Sequence, residues 1–231
     1  MKKRQVFGFV VAGLLAGFVS HAVAQSATAY SSSAVGVIKK TLPANKLALI
    51  SIPLDQESDE GEGFVFSSVP AIAGLPNYSV AMFYDVTSQE WVTVAKSRNS
   101  WGTKGTRLVK PGESFFLKNV QSTNIPMVVS GEVPADASIG QVLAGGALTL
   151  VANPYPVAMA FSDFSCASTL PNYSVVMFWN EDTQAWDSVS KSRNSWGTKA
   201  SRVVAPGEGF FVKPASSDIT WTESRPYTWP N

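Results

Sequence analysis

Nine residues of this chain occur twice without a change. Lys96-Ser97-Arg98-Asn99-Ser100-Trp101-Gly102-Thr103-Lys104 returns as Lys191-Ser192-Arg193-Asn194-Ser195-Trp196-Gly197-Thr198-Lys199, 95 positions further on (191 − 96). Identity extends to both sides, and Leu75–Lys118 shares 28 of 44 aligned positions with Leu170–Lys213. A repeat of this length is a duplicated structural unit, so whatever fold the chain adopts it builds twice. The two copies are not equal in length. Pro53 and Pro154 close matching apolar runs but stand 101 apart (154 − 53), so the first copy carries six extra residues (101 − 95) before Leu75. The acidic run Asp55–Gly63 is where they fall.

The pattern inside each copy is that of strands. Leu47–Pro53 and Leu148–Pro154 are apolar runs ended by proline, as buried strands are. Val80–Tyr84 with Trp91–Ala95, and Val175–Trp179 with Trp186–Val189, alternate with period two around polar residues that suit a hairpin. Ser114–Leu117 follows the turn-forming pair Pro111-Gly112. Ile125–Val129 and Ile219–Thr222 close the units. The expectation is an all-β protein of two tandem homologous units, residues 35–133 and 134–231, each with about five or six short strands. They form either two small sandwiches or one pseudo-symmetric barrel or sandwich. The sole helical signal is a short turn at Ser162–Ser165, with Ser162 as the expected cap.

The first residues read as an export signal. Lys2-Lys3-Arg4 is a basic head, Val6–Val19 an apolar core, and Ala22-Val23-Ala24 a small-residue cleavage site. The apolar stretch of 14 residues (6 through 19) is shorter than the ~20 that cross a bilayer. The expected product is a secreted or cell-envelope chain with a flexible start at residues 25–34 and no membrane span. Cleavage removes three of 18 basic residues and none of 17 acidic ones, leaving 15 − 17 = −2. That balance argues against nucleic acid or anionic lipid as partner. It also removes His21, the chain's one histidine, and with it histidine acid–base chemistry, Ser-His-Asp or Cys-His catalysis and His-ligated metal. Cys166 is the single cysteine and reads as a small buried apolar residue. No Gly-rich phosphate loop, nucleotide fingerprint or metal-ligand cluster occurs, so no cofactor is expected.

Two readings fit the repeated segment. In the first it is a binding surface: Trp101 and Trp196 stack on sugar rings, while Arg98, Asn99, Lys104, Arg193, Asn194 and Lys199 donate hydrogen bonds to hydroxyls. Two copies would then add avidity for a polysaccharide or another cell-surface polymer. In the second it is a folded loop, with Asn99 and Gly102 as turn residues, Trp101 anchored on the core, and Lys96 and Lys104 as solvated ends. Other motifs have plain readings. Asn77-Tyr78-Ser79 and Asn172-Tyr173-Ser174 match the glycosylation acceptor pattern, incidental beside a bacterial-type signal. Glu113 and Glu208 invite comparison with a glycosidase carboxylate pair, but each sits in an equivalent Pro-Gly-Glu turn. The carboxylates of Asp55–Gly63 lack EF-hand spacing and read as a solvated loop.

The Ile-Ser-Ile-Pro and Ala-Asn-Pro strands (Ile50–Pro53, Ala152–Pro154), the Met-Phe-Tyr/Trp hairpins (Met82–Tyr84, Met177–Trp179) and Pro-Gly-Glu-x-Phe-Phe-x-Lys form a recurring pattern. In this the chain resembles secreted β-rich repeat proteins of bacteria of the planctomycete–verrucomicrobial group. The resemblance implies export and β architecture and carries over no catalytic residue. Ser114 stands where the second copy has Gly209, so the two Pro-Gly turns need not share a geometry. The functional expectation is a non-enzymatic structural or adhesive protein acting by surface contact or self-association. The alternative is a carbohydrate-binding module built on the repeated loops, and a carboxylate-based glycoside-active enzyme is the third reading.

Overall fold

Each copy of the repeat folds into eight strands, two more than the six that alternation resolves at most. The first copy holds β1 (Val35–Leu42), β2 (Leu47–Ser51), β3 (Phe64–Val65), β4 (Val80–Asp85), β5 (Glu90–Ala95), β6 (Leu108–Val109), β7 (Ser114–Lys118) and β8 (Ile125–Glu132). The second holds β9 (Ser138–Leu143), β10 (Thr149–Ala152), β11 (Met159–Ala160), β12 (Val175–Asn180), β13 (Ala185–Ser190), β14 (Val203–Val204), β15 (Gly209–Lys213) and β16 (Ile219–Ser224). The structure is a computed structural model that describes residues 34–56 and 63–228. The export signal, nearly all of the segment expected to follow it and the middle of the acidic run lie outside those residues. No helix among the described residues is long and apolar enough to cross a membrane.

Pairing is antiparallel throughout and identical in the two copies. A four-stranded sheet of order β2-β7-β4-β5 matches β10-β15-β12-β13, a two-stranded ribbon β1-β8 matches β9-β16, and the short bridge β3-β6 matches β11-β14. The sheets are open and sandwich-like, and no barrel closes. Helical turns occur at two places in each copy, one of them a 3₁₀ turn after the repeated Ser-Trp (Thr103–Thr106, Gly197–Ser201). At the other, a 3₁₀ turn at Phe66–Ser68 leads to helix α1 (Pro70–Ala73), and Phe161–Asp163 leads to α2 (Ser165–Thr169). The expected cap at Ser162 is not found. Its hydroxyl donates to Asp163, and the first amide of α2, Ser165 N–H, donates instead to the buried Glu223 carboxylate at 3.0 Å.

Three apolar clusters hold this together, one inside each copy and one between them. The Phe-Phe of the Pro-Gly-Glu-x-Phe-Phe motif shows how. Neighbouring strand residues point to opposite faces. Phe115 and Phe210 therefore enter the core of their own copy, while Phe116 and Phe211 enter the shared cluster. There Leu49, Phe116, Leu150 and Phe211 are fully buried, flanked by Met82, Tyr84, Trp91, Met177, Trp179 and Trp186. The rings meet edge to face, with Phe116 4.9 Å from Trp179 and Phe211 4.8 Å from Tyr84. Edge-to-face pairs at these separations are favourable beyond their burial. Both faces of each four-stranded sheet are thus covered, which is why β2 and β10 read as unbroken apolar runs rather than alternating ones.

Polar contacts across this seam are reciprocal. Gln89 donates to Leu148 O at 3.0 Å and accepts from Leu148 N–H at 2.8 Å; Gln184 does the same with Leu47 at 2.9 and 2.8 Å. Ser51 N–H donates to Gly207 O at 3.0 Å, and Ala152 N–H to Gly112 O at 2.7 Å. The two Pro-Gly turns share one geometry after all, with φ of 79° at Gly112 and 80° at Gly207, the left-handed position a type II turn reserves for glycine. Ser114 and Gly209 differ for another reason: they meet at the pseudo-two-fold axis. The Ser114 hydroxyl donates to Val151 O at 2.9 Å, and a Cβ on Gly209 would lie 2.2 Å from that hydroxyl oxygen. One side chain fits there and two do not. Gly209→Ala should therefore destabilise by about 1–3 kcal/mol, as overpacking does. Adding Ser114→Gly should restore most of the loss, a coupling that a double-mutant cycle in urea would read.

Candidate functional site

The repeated segment divides into buried and exposed residues. Trp101 and Trp196 are each 4% exposed. Their indole N–H groups donate to Ile72 O (3.3 Å) and Ala167 O (2.9 Å), and their rings stand edge-on to Phe66 and Phe161 at 5.2 and 5.1 Å. A ring enclosed on all sides presents no face to a sugar, so these tryptophans are not the stacking platforms that the binding reading requires. Lys96 and Lys191 are not solvated ends either; they are 3% and 4% exposed. The Lys191 ammonium donates to Ala167 O, Ser168 O and Leu170 O at 2.9, 3.0 and 2.7 Å, and Lys96 donates to Ala73 O and Leu75 O. Each takes up the carbonyls left open where its short helix ends, a position that favours positive charge.

Lys104 and Lys199 are committed outside the core. Lys104 donates to Thr93 O on β5 at 3.2 Å, and Lys199 pairs with Asp187 on β13. What remains exposed is the turn. Ser97 and Ser100 exchange backbone hydrogen bonds of 2.8 and 2.9 Å, with Arg98 (φ 50°) and Asn99 (φ 60°) between them. Positive φ at both central residues is the type I′ hairpin turn, whose twist matches the flanking strands. The second copy repeats it at Arg193 (51°) and Asn194 (59°).

A residue that the sequence reading passed over completes the arrangement. Tyr78 is 75% exposed and Tyr173 82%. Both lie at positive φ, 71° and 72°, where a bulky side chain is a genuine outlier. Each is bound to the turn. Tyr78 N–H donates to Lys96 O at 2.8 Å, and the side chain of Asn77 accepts Asn99 N–H at 2.7 Å. Tyr173, Asn172 and Asn194 repeat the geometry with the same distances. The glycosylation-pattern asparagines are thus latches that hold the tyrosine beside the turn. The signal was present in the sequence as Asn-Tyr-Ser kept in both copies, but nothing there distinguishes an exposed tyrosine from a packed one.

The remaining candidates are internal. Glu113 pairs with Arg107 through one oxygen and accepts Lys110 N–H through the other at 3.1 Å; Glu208 does the same with Arg202 and Ala205 N–H. Each carboxylate is spent within its own turn. No group of three or more His, Cys, Asp or Glu residues arranged to hold a metal occurs among the described residues. Cys166 is fully buried, and burial, with Glu223 adding to it, pushes its thiol well above the usual range. A thiolate is the reactive form. Cys166 should therefore resist a thiol-specific disulfide reagent at neutral pH in the folded protein and react at once in denaturant.

No family model matches the chain, and no curated protein or solved structure is similar to it. The fold and the exposed residues define a class: a duplicated all-β sandwich that presents a Tyr-Arg-Asn tip from each copy.

Proposed function

We propose that this is an exported, non-catalytic structural or adhesive protein of the cell envelope or exterior, acting by surface contact through its two tips. One observation carries the reading. Both copies hold a tyrosine that is at least three-quarters exposed in a backbone conformation that glycine adopts without strain. Strained, exposed residues that the fold does not need are drawn from functional surfaces. The export signal and the resemblance to secreted repeat proteins support the location. Contact through the tips is favoured over pairing of sheet edges. Lys104 covers an outward carbonyl of the edge strand β5, and lysine on an edge discourages strand addition.

The test is cosedimentation of the mature chain with bacterial envelope fragments, comparing wild type with the variant Tyr78→Gly plus Tyr173→Gly. Binding should fall at least about tenfold, while stability holds or rises by about 0.5–1 kcal/mol per site as left-handed strain is relieved. Unchanged sedimentation by a folded variant would refute the proposal.

A further inference from the structure

We infer that the two tips work together on one anionic polysaccharide strand, an inference that rests on the contact reading above. The first step is where the tips lie. Each four-stranded sheet has four corners. In the first copy these are the meeting of Ser51 with Ser114, the start of β2 at Leu47, the β4–β5 turn at Gln89, and the tip at Tyr78 and Arg98. The Ser51–Ser114 corner meets its own counterpart, through Ser51 N–H to Gly207 O and Ala152 N–H to Gly112 O. The Leu47 corner of one sheet meets the glutamine corner of the other, and this happens in both directions. Strands of the two sheets therefore cross steeply, as in orthogonal packing. Three corners matched in this way leave the fourth corners, the two tips, at the same end of the sandwich.

The second step is charge. Lys118 pairs with Val80 at the tip end of β4, and Lys213 pairs with Val175 at the tip end of β12. That end therefore carries Arg98, Lys118, Arg193 and Lys213. Residues 75–80 and 95–103, like 170–175 and 190–198, contain no Asp or Glu. Lys118 and Lys213 also border the corners where the Gln184 and Gln89 turns, with Glu181, Asp182, Asp85 and Glu90, meet Leu47 and Leu148. The basic character is therefore concentrated at the tips themselves, on Arg98 and Arg193. The chemistry there is specific. A tyrosine ring packs on the C–H face of a sugar, and a guanidinium forks onto a carboxylate. A polyuronate offers both groups on every residue. The identical lining of the two tips suits a polymer of identical units, and shared orientation lets one strand engage both.

Linked sites gain through effective concentration, commonly 10²–10⁴-fold over a single site. The experiment measures binding of the mature protein to trigalacturonate, to polygalacturonate and to neutral dextran. Polygalacturonate should bind at least tenfold more tightly than the trimer, weaken as salt screens the charges, and outcompete dextran. Tyr78→Gly or Tyr173→Gly alone should abolish the advantage of length, and the pair should abolish binding. Equal affinity for trimer and polymer would overturn joint action by the tips. Tip-dependent sedimentation with envelope fragments but no binding of polygalacturonate would overturn the ligand class and leave the contact reading standing. Binding indifferent to both tyrosines, in both assays, would overturn the two together.

Discussion

Trp101→Ala and Trp196→Ala should each cost about 3–5 kcal/mol of stability, the range for removing a buried tryptophan. Each indole fills the space between its 3₁₀ turn and helix, stands against a phenylalanine and satisfies a helix carbonyl. Truncation leaves a cavity and removes one of the donors to that carbonyl, which keeps Leu75 N–H in the first copy and the Lys191 ammonium in the second. For a chain of this size the loss corresponds to roughly 2–4 °C of melting temperature per kcal/mol. The contrast within the same nine residues makes the prediction sharp. Arg98→Ala, at an exposed position, should stay within about 0.5 kcal/mol of wild type. Thermal unfolding of the three variants checks the set. Equal, small effects would mean that the tryptophans do not hold the fold.

Phe116→Ala and Phe211→Ala should be about as costly, again about 3–5 kcal/mol each. Their rings belong to neither repeat's own core and hold the repeats to one another. Unfolding one copy bares the apolar face of the other and breaks the reciprocal glutamine contacts. The two copies should therefore unfold in one transition despite the duplicated sequence. Calorimetry gives the answer: equal calorimetric and van't Hoff enthalpies support a single cooperative body. Two separate transitions in the wild type would show that the seam contributes little.

The sequence made some of this legible and hid the rest for physical reasons. Alternation located β4, β5, β8 and their partners, because half-buried strands write their two faces in period two. It missed β3 and β11, two residues each, which are too short to carry a period. It also missed β9, where Gln141 is half-buried and Val142 exposed, so that apolar and polar residues do not sort by face. The duplication foretold two equivalent units, but the seam was hidden. Trp91 and Trp186 look the same in sequence whether they face a private core or a shared one. Lys96 misled through its type, since lysine is ordinarily solvated, and only the helix carbonyls at Ala73 and Leu75 explain its burial. The candidate site was half legible. Arg98, Asn99, Arg193 and Asn194 are exposed as the binding reading required, but the aromatic partner is Tyr78 or Tyr173. Positive φ and exposure belong to the folded backbone and leave no mark in a single sequence.

The most direct measurement is tyrosine footprinting: nitration of the mature protein, free and bound to envelope fragments, read residue by residue by mass spectrometry. Among the described tyrosines, Tyr78 and Tyr173 should be modified fastest in the free protein, and both should be protected on binding, while the buried Tyr155 stays unmodified throughout. If the two tip tyrosines react equally in the free and bound protein, contact does not run through them, and the central claim is wrong.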